Sequence, residues 1–422
     1  MARKKLKIAV VGSGVAGLTA AYILNILYDI TVFEKNDYPG GHTHTIVIDK
    51  GPDRGTPVDT GFIVMNHRNY PLFTKLLDRL GVALRDSDMS FGYSCLQTGI
   101  QYSSRGLNGL YAQRRNIVRP SYQRMVYDLF RFYRNAKKDL AQGSAADLTL
   151  GEYLKDRRFS DIFIRHHILP MGAAIWSTPD DEMMEFPAES FFRFFSNHGL
   201  LSVTGQPVWR TVAGGSHMYV KAIRETLNSD VITRCAVKSV RRTKSGVKVG
   251  TEGGKTKTFD RVIIAAHADE ALGMLADPTA DEKRLLGAWR YQKNRTVLHT
   301  DSSLMPVNAN ARASWNFLRE QGVEGSSLSL TYHMNRLQGL KTEEQYYVTL
   351  NSVKEIPKNK TIAVMDYHHP SYTFTSMNTQ RELHKLNGVN NTFFCGSYFG
   401  YGFHEDAVRS GVDVAKLLGG EW

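Results

Sequence analysis

The chain has 422 residues, 42% of them hydrophobic, and 53 Lys and Arg against 41 Asp and Glu, a formal net charge of +12. That is material for two or three cores, and with no apolar run of 18 residues a membrane-spanning helix is not expected. The three cysteines, Cys95, Cys235 and Cys395, stand at no metal or redox spacing and fit a reducing, cytoplasmic compartment.

The basic start, Met1-Ala2-Arg3-Lys4-Lys5, runs into an apolar strand at residues 6–11 and a glycine turn, so a signal peptide is not expected. In that turn Gly12, Gly14 and Gly17, interleaved with Ser13, Val15 and Ala16, open an Ala-rich helix. A second apolar run, 30–33, ends in an acid, Glu34, followed by Lys35. Strand, glycine turn, helix, strand and acid in this order suit a dinucleotide. One glycine turns the chain, one admits a pyrophosphate, one lets helix and strand pack, and the acid accepts ribose hydroxyls. An acid at position 34 disfavours a 2′-phosphate, leaving NAD and FAD. A second glycine pair, Gly40-Gly41 before His42 and Thr43, gives backbone access to a pyrophosphate whose ligand continues past the first nucleotide, which favours FAD. Asp59-Thr60-Gly61-Phe62-Ile63 is a further turn suited to backbone contact with a flat ring.

A helix is expected around 71–80, and the first cofactor block ends near residue 86. Between 105 and 138 nine Arg and Lys residues interleave with Tyr111, Tyr122, Tyr127, Phe130, Phe132 and Tyr133 in a helical region. This reads either as a solvated face or as an interface with anionic phospholipid. No nucleic-acid motif accompanies it, so no nucleic-acid partner is expected. Residues 143–146 form a short linker. His166-His167 and His368-His369 are adjacent pairs that point apart, with no carboxylate at ligand spacing, so no metal is expected. Phe186, Phe191, Phe192, Phe194 and Phe195 with Met183 and Met184 read as core, or as the wall of a channel for a long acyl chain; Trp176, Trp209 and Trp315 raise the same alternative.

A second cofactor block, 205–288, holds an amphipathic helix after Gly214-Gly215-Ser216, strands near 231–233 and 237–240, and a buried strand at 260–266 ending in the small residues Ala265 and Ala266. The third, 360–422, runs an apolar strand into Gly396-Ser397. After an aromatic turn it starts a helix at His404-Glu405-Asp406, with Ala407, Val408, Gly411, Val412, Ala415 and Leu418 as its buried stripe. That helix N-terminus would stabilise the negative charge of reduced flavin. The organisation is therefore an α/β, Rossmann-like FAD-binding domain (1–86, 205–288, 360–422) interleaved with an α+β substrate domain (87–204, 289–359).

These motifs, with residues 40–43, 169–177, 207–216, 331–338 and 400–406, make the chain resemble the flavoprotein superfamily of monoamine oxidase, protoporphyrinogen oxidase and phytoene desaturase. More closely, it is similar to a bacterial family of NAD/FAD-binding proteins often encoded beside cyclopropane-fatty-acid synthase. The resemblance implies an interleaved fold of the amine-oxidase type and an adenine contact at the backbone of Val237. It also places Phe403 where monoamine oxidases carry one tyrosine of an aromatic cage. The cysteine that tethers flavin in those enzymes has no counterpart near 367–370, which implies noncovalent FAD. His404, Phe403 and Asn335 are the candidate catalytic residues, and Glu405 and Val408 join the expected cofactor contacts. The implied activity is hydride removal from an apolar, lipid-derived substrate, with a cytoplasmic location that includes the inner membrane face. Amine oxidation, or a non-catalytic flavoprotein that binds a cyclopropane-synthase-like partner, are the alternatives.

Overall fold

The computed structural model describes residues 5–202, 204–320 and 329–422, so the basic start Met1–Lys4 lies outside the described residues. Its first layer is a four-stranded sheet, parallel throughout, in the order Thr392–Phe394, Arg261–Ile264, Lys7–Val11, Asp29–Phe33. Strands covered on both faces are apolar at their buried centres, and these are, with Lys7, Asp29 and Arg261 only at their starts. Ile8, Val10, Val32, Ile263 and Phe393 face the helices Val15–Leu24 and His404–Leu417. Ala9, Val11, Val262, Ile264 and Phe394 face an antiparallel sheet made of Val237–Thr243, Gly246–Thr251 and Thr256–Phe259. The two helices cross closely because Gly411 has no side chain: a Cβ there would strike the Ala16 carbonyl oxygen.

The second layer is a seven-stranded mixed sheet, in the order Thr361–Ser371, Arg290–His299, Tyr347–Leu350, Ser329–His333, Trp315–Arg319, Phe91–Cys95, Gln101–Ser103. Against it pack the long helix Pro120–Gln142 and the shorter helices Leu150–Asp156, Leu169–Trp176 and Ala188–Asn197. The α/β class expected from the sequence is present.

In the fold the structure differs from the expectations at two places, and it divides the aromatic run between the two readings given for it. Thr361–Ser371, assigned to the cofactor block that begins at 360, pairs along its whole length with Arg290–His299 and belongs to the seven-stranded sheet. Residues 231–233 make no strand: Ile232 forms a lone parallel bridge to Phe33. Of the aromatic run, Phe186, Phe191, Phe192 and Phe195 are core, packed with Phe132 and Trp176, while Phe194 alone also borders the main cavity.

Candidate active site

A cavity of about 1270 Å³ lies between the two layers. That exceeds the roughly 300–1,000 Å³ that holds a drug-sized ligand. One end is a slot walled by Gly12, Gly14, Val15, Ala16, Glu34, Lys35, Val237 and Ala265. The middle is bordered by Gly40, Gly41, His42, Gly61, Phe62, Ile63, Gly396, Ser397, Phe403 and His404.

Local geometry shapes the slot. Gly12 has φ +101°, and a Cβ there would collide with the Ala265 carbonyl oxygen, whereas a Cβ at Gly14 would meet nothing within 4 Å. The chain thus turns tightly at one glycine and leaves open space at the next, beside the unbonded first N–H groups of helix Val15–Leu24. Glu34 accepts from Ser13 N at 3.0 Å, from Ser13 Oγ at 2.6 Å and from Asn36 N at 2.9 Å. A carboxylate has about four acceptor sites, so one is left for a ribose hydroxyl. Ser13 Oγ in turn accepts from Gly40 N at 3.1 Å, tying the first glycine turn to the second. Lys35 pairs with Glu270 at 2.5 Å on the slot's rim.

In the middle, His404 hydrogen-bonds through Nε2 to Thr43 Oγ1 and Tyr219 OH, both at 3.0 Å, and stacks on Phe62. Burial pushes its imidazole down to about 3 and that of His369 to about 4; it holds His42 and His267 below the usual range, with neighbouring histidines adding to the effect at His42. His42 and Tyr398 border the cavity, and His42 Nε2 and Tyr398 OH, both buried, have no hydrogen-bond partner among the described residues.

Several expected site residues stand behind the wall instead of on it. Ser13, Gly17 and Thr43 support wall residues, and Val408 is core. Glu405 is turned away from the cavity: its carboxylate accepts from Leu72 N and Phe73 N, each at 3.0 Å, capping the helix Pro71–Leu80. Asp406 caps its own helix by accepting from Tyr401 N at 2.9 Å and Phe403 N at 3.2 Å. Asn335 is not at the cavity. Its amide donates to Thr342 Oγ1 and the Glu344 carbonyl and accepts from Tyr346 N, which closes a turn. His166 and His167 do point apart, on a π-helical turn Ile164–Ile168: His166 bonds Tyr93 OH, and His167 bonds Tyr102 OH and reaches the cavity. Cavity residues that the sequence reading passed over include His267, Tyr291 and Tyr398. The first follows the small-residue end of Arg261–Ile264 and the last lies in the aromatic turn before His404, so both carried a positional signal.

Beyond His404 the cavity widens into a chamber contributed by residues 89–209, 315, 332 and 398–403. Its wall includes Leu110, Met125, Leu129, Met171, Trp176, Trp209 and Trp315, and none of the residues it takes from 89–209 is Asp, Glu, Lys or Arg.

Residues 15–418 match the family of flavin containing amine oxidoreductases, and the chain belongs to that family. It is an FAD-dependent oxidoreductase. Among curated proteins it is 22% identical to the beta-cyclopiazonate dehydrogenase of Aspergillus flavus, over 92% of this chain and 88% of that protein. Its fold is similar to that of a double mutant of putrescine oxidase (TM-score 0.71, 16% identity, 98% and 99% of the two chains). It is also similar to a fatty acid isomerase from P. acnes that produces CLA (TM-score 0.68, 14% identity, 99% of each chain). The glycine turns, the single free acceptor site on Glu34 and the volume of the cavity fit FAD.

Proposed function

We propose that this flavoprotein oxidises an apolar, acyl-chain-like substrate seated in the chamber beyond His404. The observation that carries the reading is the uncharged wall. The three acids that border the cavity, Glu34, Glu270 and Asp366, are engaged with Ser13, Lys35 and Lys293 respectively. Burial holds the chamber histidines His167 and His198 near 4, so they are neutral at physiological pH. An alkylammonium entering this chamber would lose its hydration with no anion to replace it, whereas a hydrocarbon chain gains about 0.8 kcal/mol per buried CH₂. The fatty acid isomerase among the similar folds is in keeping with this reading.

FAD, when bound, supplies the hydride acceptor. The chain's part is to hold, orient and dry. The slot residues Gly12, Gly14, Glu34 and Val237 would hold the nucleotide end, while Gly41, Gly61, Ser397 and His404 would surround the ring. Trp176 and Trp315 contribute ring surface to the chamber wall, in keeping with an apolar occupant. FAD is expected to be noncovalent, since Cys95 and Cys395 do not border the cavity and Cys235 sits at its nucleotide end.

Anaerobic mixing of the yellow protein with fatty acids and phospholipids should bleach the flavin absorbance, and a lipid mass spectrum of a deletion strain should show the substrate accumulating. Bleaching by alkylamines but by no acyl compound would replace this reading with amine oxidation. Co-purification with a cyclopropane-synthase-like protein, and no bleaching by either class, would favour an accessory role.

A further inference from the structure

We propose that the outward face of helix Pro120–Gln142, with the turn before it, docks on an anionic lipid bilayer and presents the cavity mouth to the acyl layer. Delivery of an acyl substrate through that mouth rests on the function proposed above; the docking does not.

One mouth of the cavity is marked by two apolar residues that border it and are nevertheless largely in solvent: Leu107, 76% exposed, and Phe130, 50% exposed. Beside them Ile117 and Tyr127 are exposed, and Val118 is 83% exposed. The pieces form one local unit: Tyr122 OH donates to the Leu110 carbonyl, and Gln123 Nε2 donates to the carbonyls of Asn116 and Ile117. An apolar rim of this kind is costly in water unless something covers it.

The charge pattern says what covers it. Tyr127, Phe130, Arg134, Lys137 and Lys138 recur at helical spacing on one exposed face, a stripe of about 16 Å at 1.5 Å per residue. The helix's two acids lie on the opposite, buried face. Asp128 takes Arg124, Arg131 and Ser160, and Asp139 takes Tyr153 and Arg157. Among the described residues Arg134, Lys137 and Lys138 make no ion pair, so the outward face presents cations without a compensating acid. Long basic side chains that reach headgroup phosphates, with Tyr and Phe between them at the level of the upper acyl carbons, form an interfacial surface. A nucleic acid would use the cations but would leave the apolar rim uncovered.

The test is flotation of the full FAD-loaded chain with vesicles of phosphatidylcholine alone and of phosphatidylcholine with phosphatidylglycerol. Recovery should be confined to the anionic vesicles and should decline as salt is raised. The triple variant Arg134→Gln, Lys137→Gln, Lys138→Gln should reduce partitioning about fivefold per charge. The pair Val118→Asp, Tyr127→Asp, outside the cavity wall, should abolish flotation while flavin content and reduction by a detergent-dispersed substrate stay at the parent level. Equal recovery with both vesicle types, no recovery, variants that float like the parent, or preferential capture by a DNA duplex at the same ionic strength would each overturn the proposal. Flotation without bleaching by any acyl compound would leave docking intact and remove the proposed function; bleaching without flotation would do the reverse.

Discussion

The His404 imidazole lies on the Phe62 ring with centroids 3.6 Å apart and planes 12° from parallel, while its Nε2 is shared by Thr43 and Tyr219. Stacking and hydrogen bonding fix the ring where the last helix begins. His404→Ala is expected to retain FAD, shift the flavin absorbance and slow flavin reduction about tenfold, equivalent to about 1.4 kcal/mol of barrier. Stopped-flow reduction and an absorbance spectrum check this. If both match the parent, His404 is a packing residue.

Glu405 holds two distant parts of the chain together, because its carboxylate on the last helix caps the helix Pro71–Leu80. Hydrogen bonds to a charged group are worth about 1.5–3 kcal/mol, and removing the acceptor leaves two buried N–H groups unpaired. Glu405→Ala should therefore destabilise by about 2–3 kcal/mol and Glu405→Gln by less, read as thermal midpoints of the FAD-loaded protein. Arg409→Ala is the control, since its side chain is half exposed and 3.8 Å from Glu405. A Glu405→Ala midpoint equal to that of Arg409→Ala would show that the cap contributes nothing.

Glu34 is committed to Ser13 and Asn36 and retains one acceptor site toward the slot. Glu34→Ala should weaken FAD binding about ten- to a hundredfold, the value of one or two charge-assisted hydrogen bonds. Fluorescence of released FAD measures this. The loaded fraction should be reduced at the parent rate, and FAD retention at the parent level would count against a ribose contact at this carboxylate.

Burial holds His44, His167, His198, His299 and His369 near 4 and His404 near 3. Between about pH 6.5 and those values only the unfolded chain binds the protons. Folding stability from these groups is complete above 6.5 and is lost as pH falls toward 4 and then 3. Asp59, pushed up to about 6 by burial, has the opposite sign, and so do Glu405 and Asp406, both raised by burial. The histidines outnumber them, so the thermal midpoint should drop between pH 7 and pH 4.5. A midpoint that rises on acidification would show that the carboxylates dominate.

The features legible in the sequence were those whose cause is local. Gly12, Gly14 and Gly17 announce their turn because the φ and contact requirements act within a few residues. The helix Pro71–Leu80 carries its proline start and its Gly81 stop in the letters themselves, and the stripe from Ala407 to Leu418 follows from helical period alone. What was illegible depends on partners far away. Thr361–Ser371 joins the seven-stranded sheet because Arg290–His299 lies beside it, and no pattern within the strand names that partner. Glu405 reads as a cofactor contact at the start of the last helix until helix Pro71–Leu80 is placed over it. Asn335 sat in a family-like string and proved to be the closure of its own turn. The uncharged chamber is a property of side chains gathered from several separated segments: 167–177, 194–209 and 398–403 carry no charged residue, and Arg105, Asp128 and Arg131 in the charged ones do not border the cavity.

The parallel sheet has a temporal consequence. Its edge strand Thr392–Phe394 is synthesised some 380 residues after Lys7–Val11, an interval of roughly 20–80 s at ribosomal speed. Throughout that interval the glycine turn has no last helix across it, and from its own synthesis to that of Thr392–Phe394 the strand Arg261–Ile264 has one open edge. Prosthetic-group capture is therefore a late event in the birth of this polypeptide. A message interrupted before codon 392 would leave a product that no supply of riboflavin could rescue.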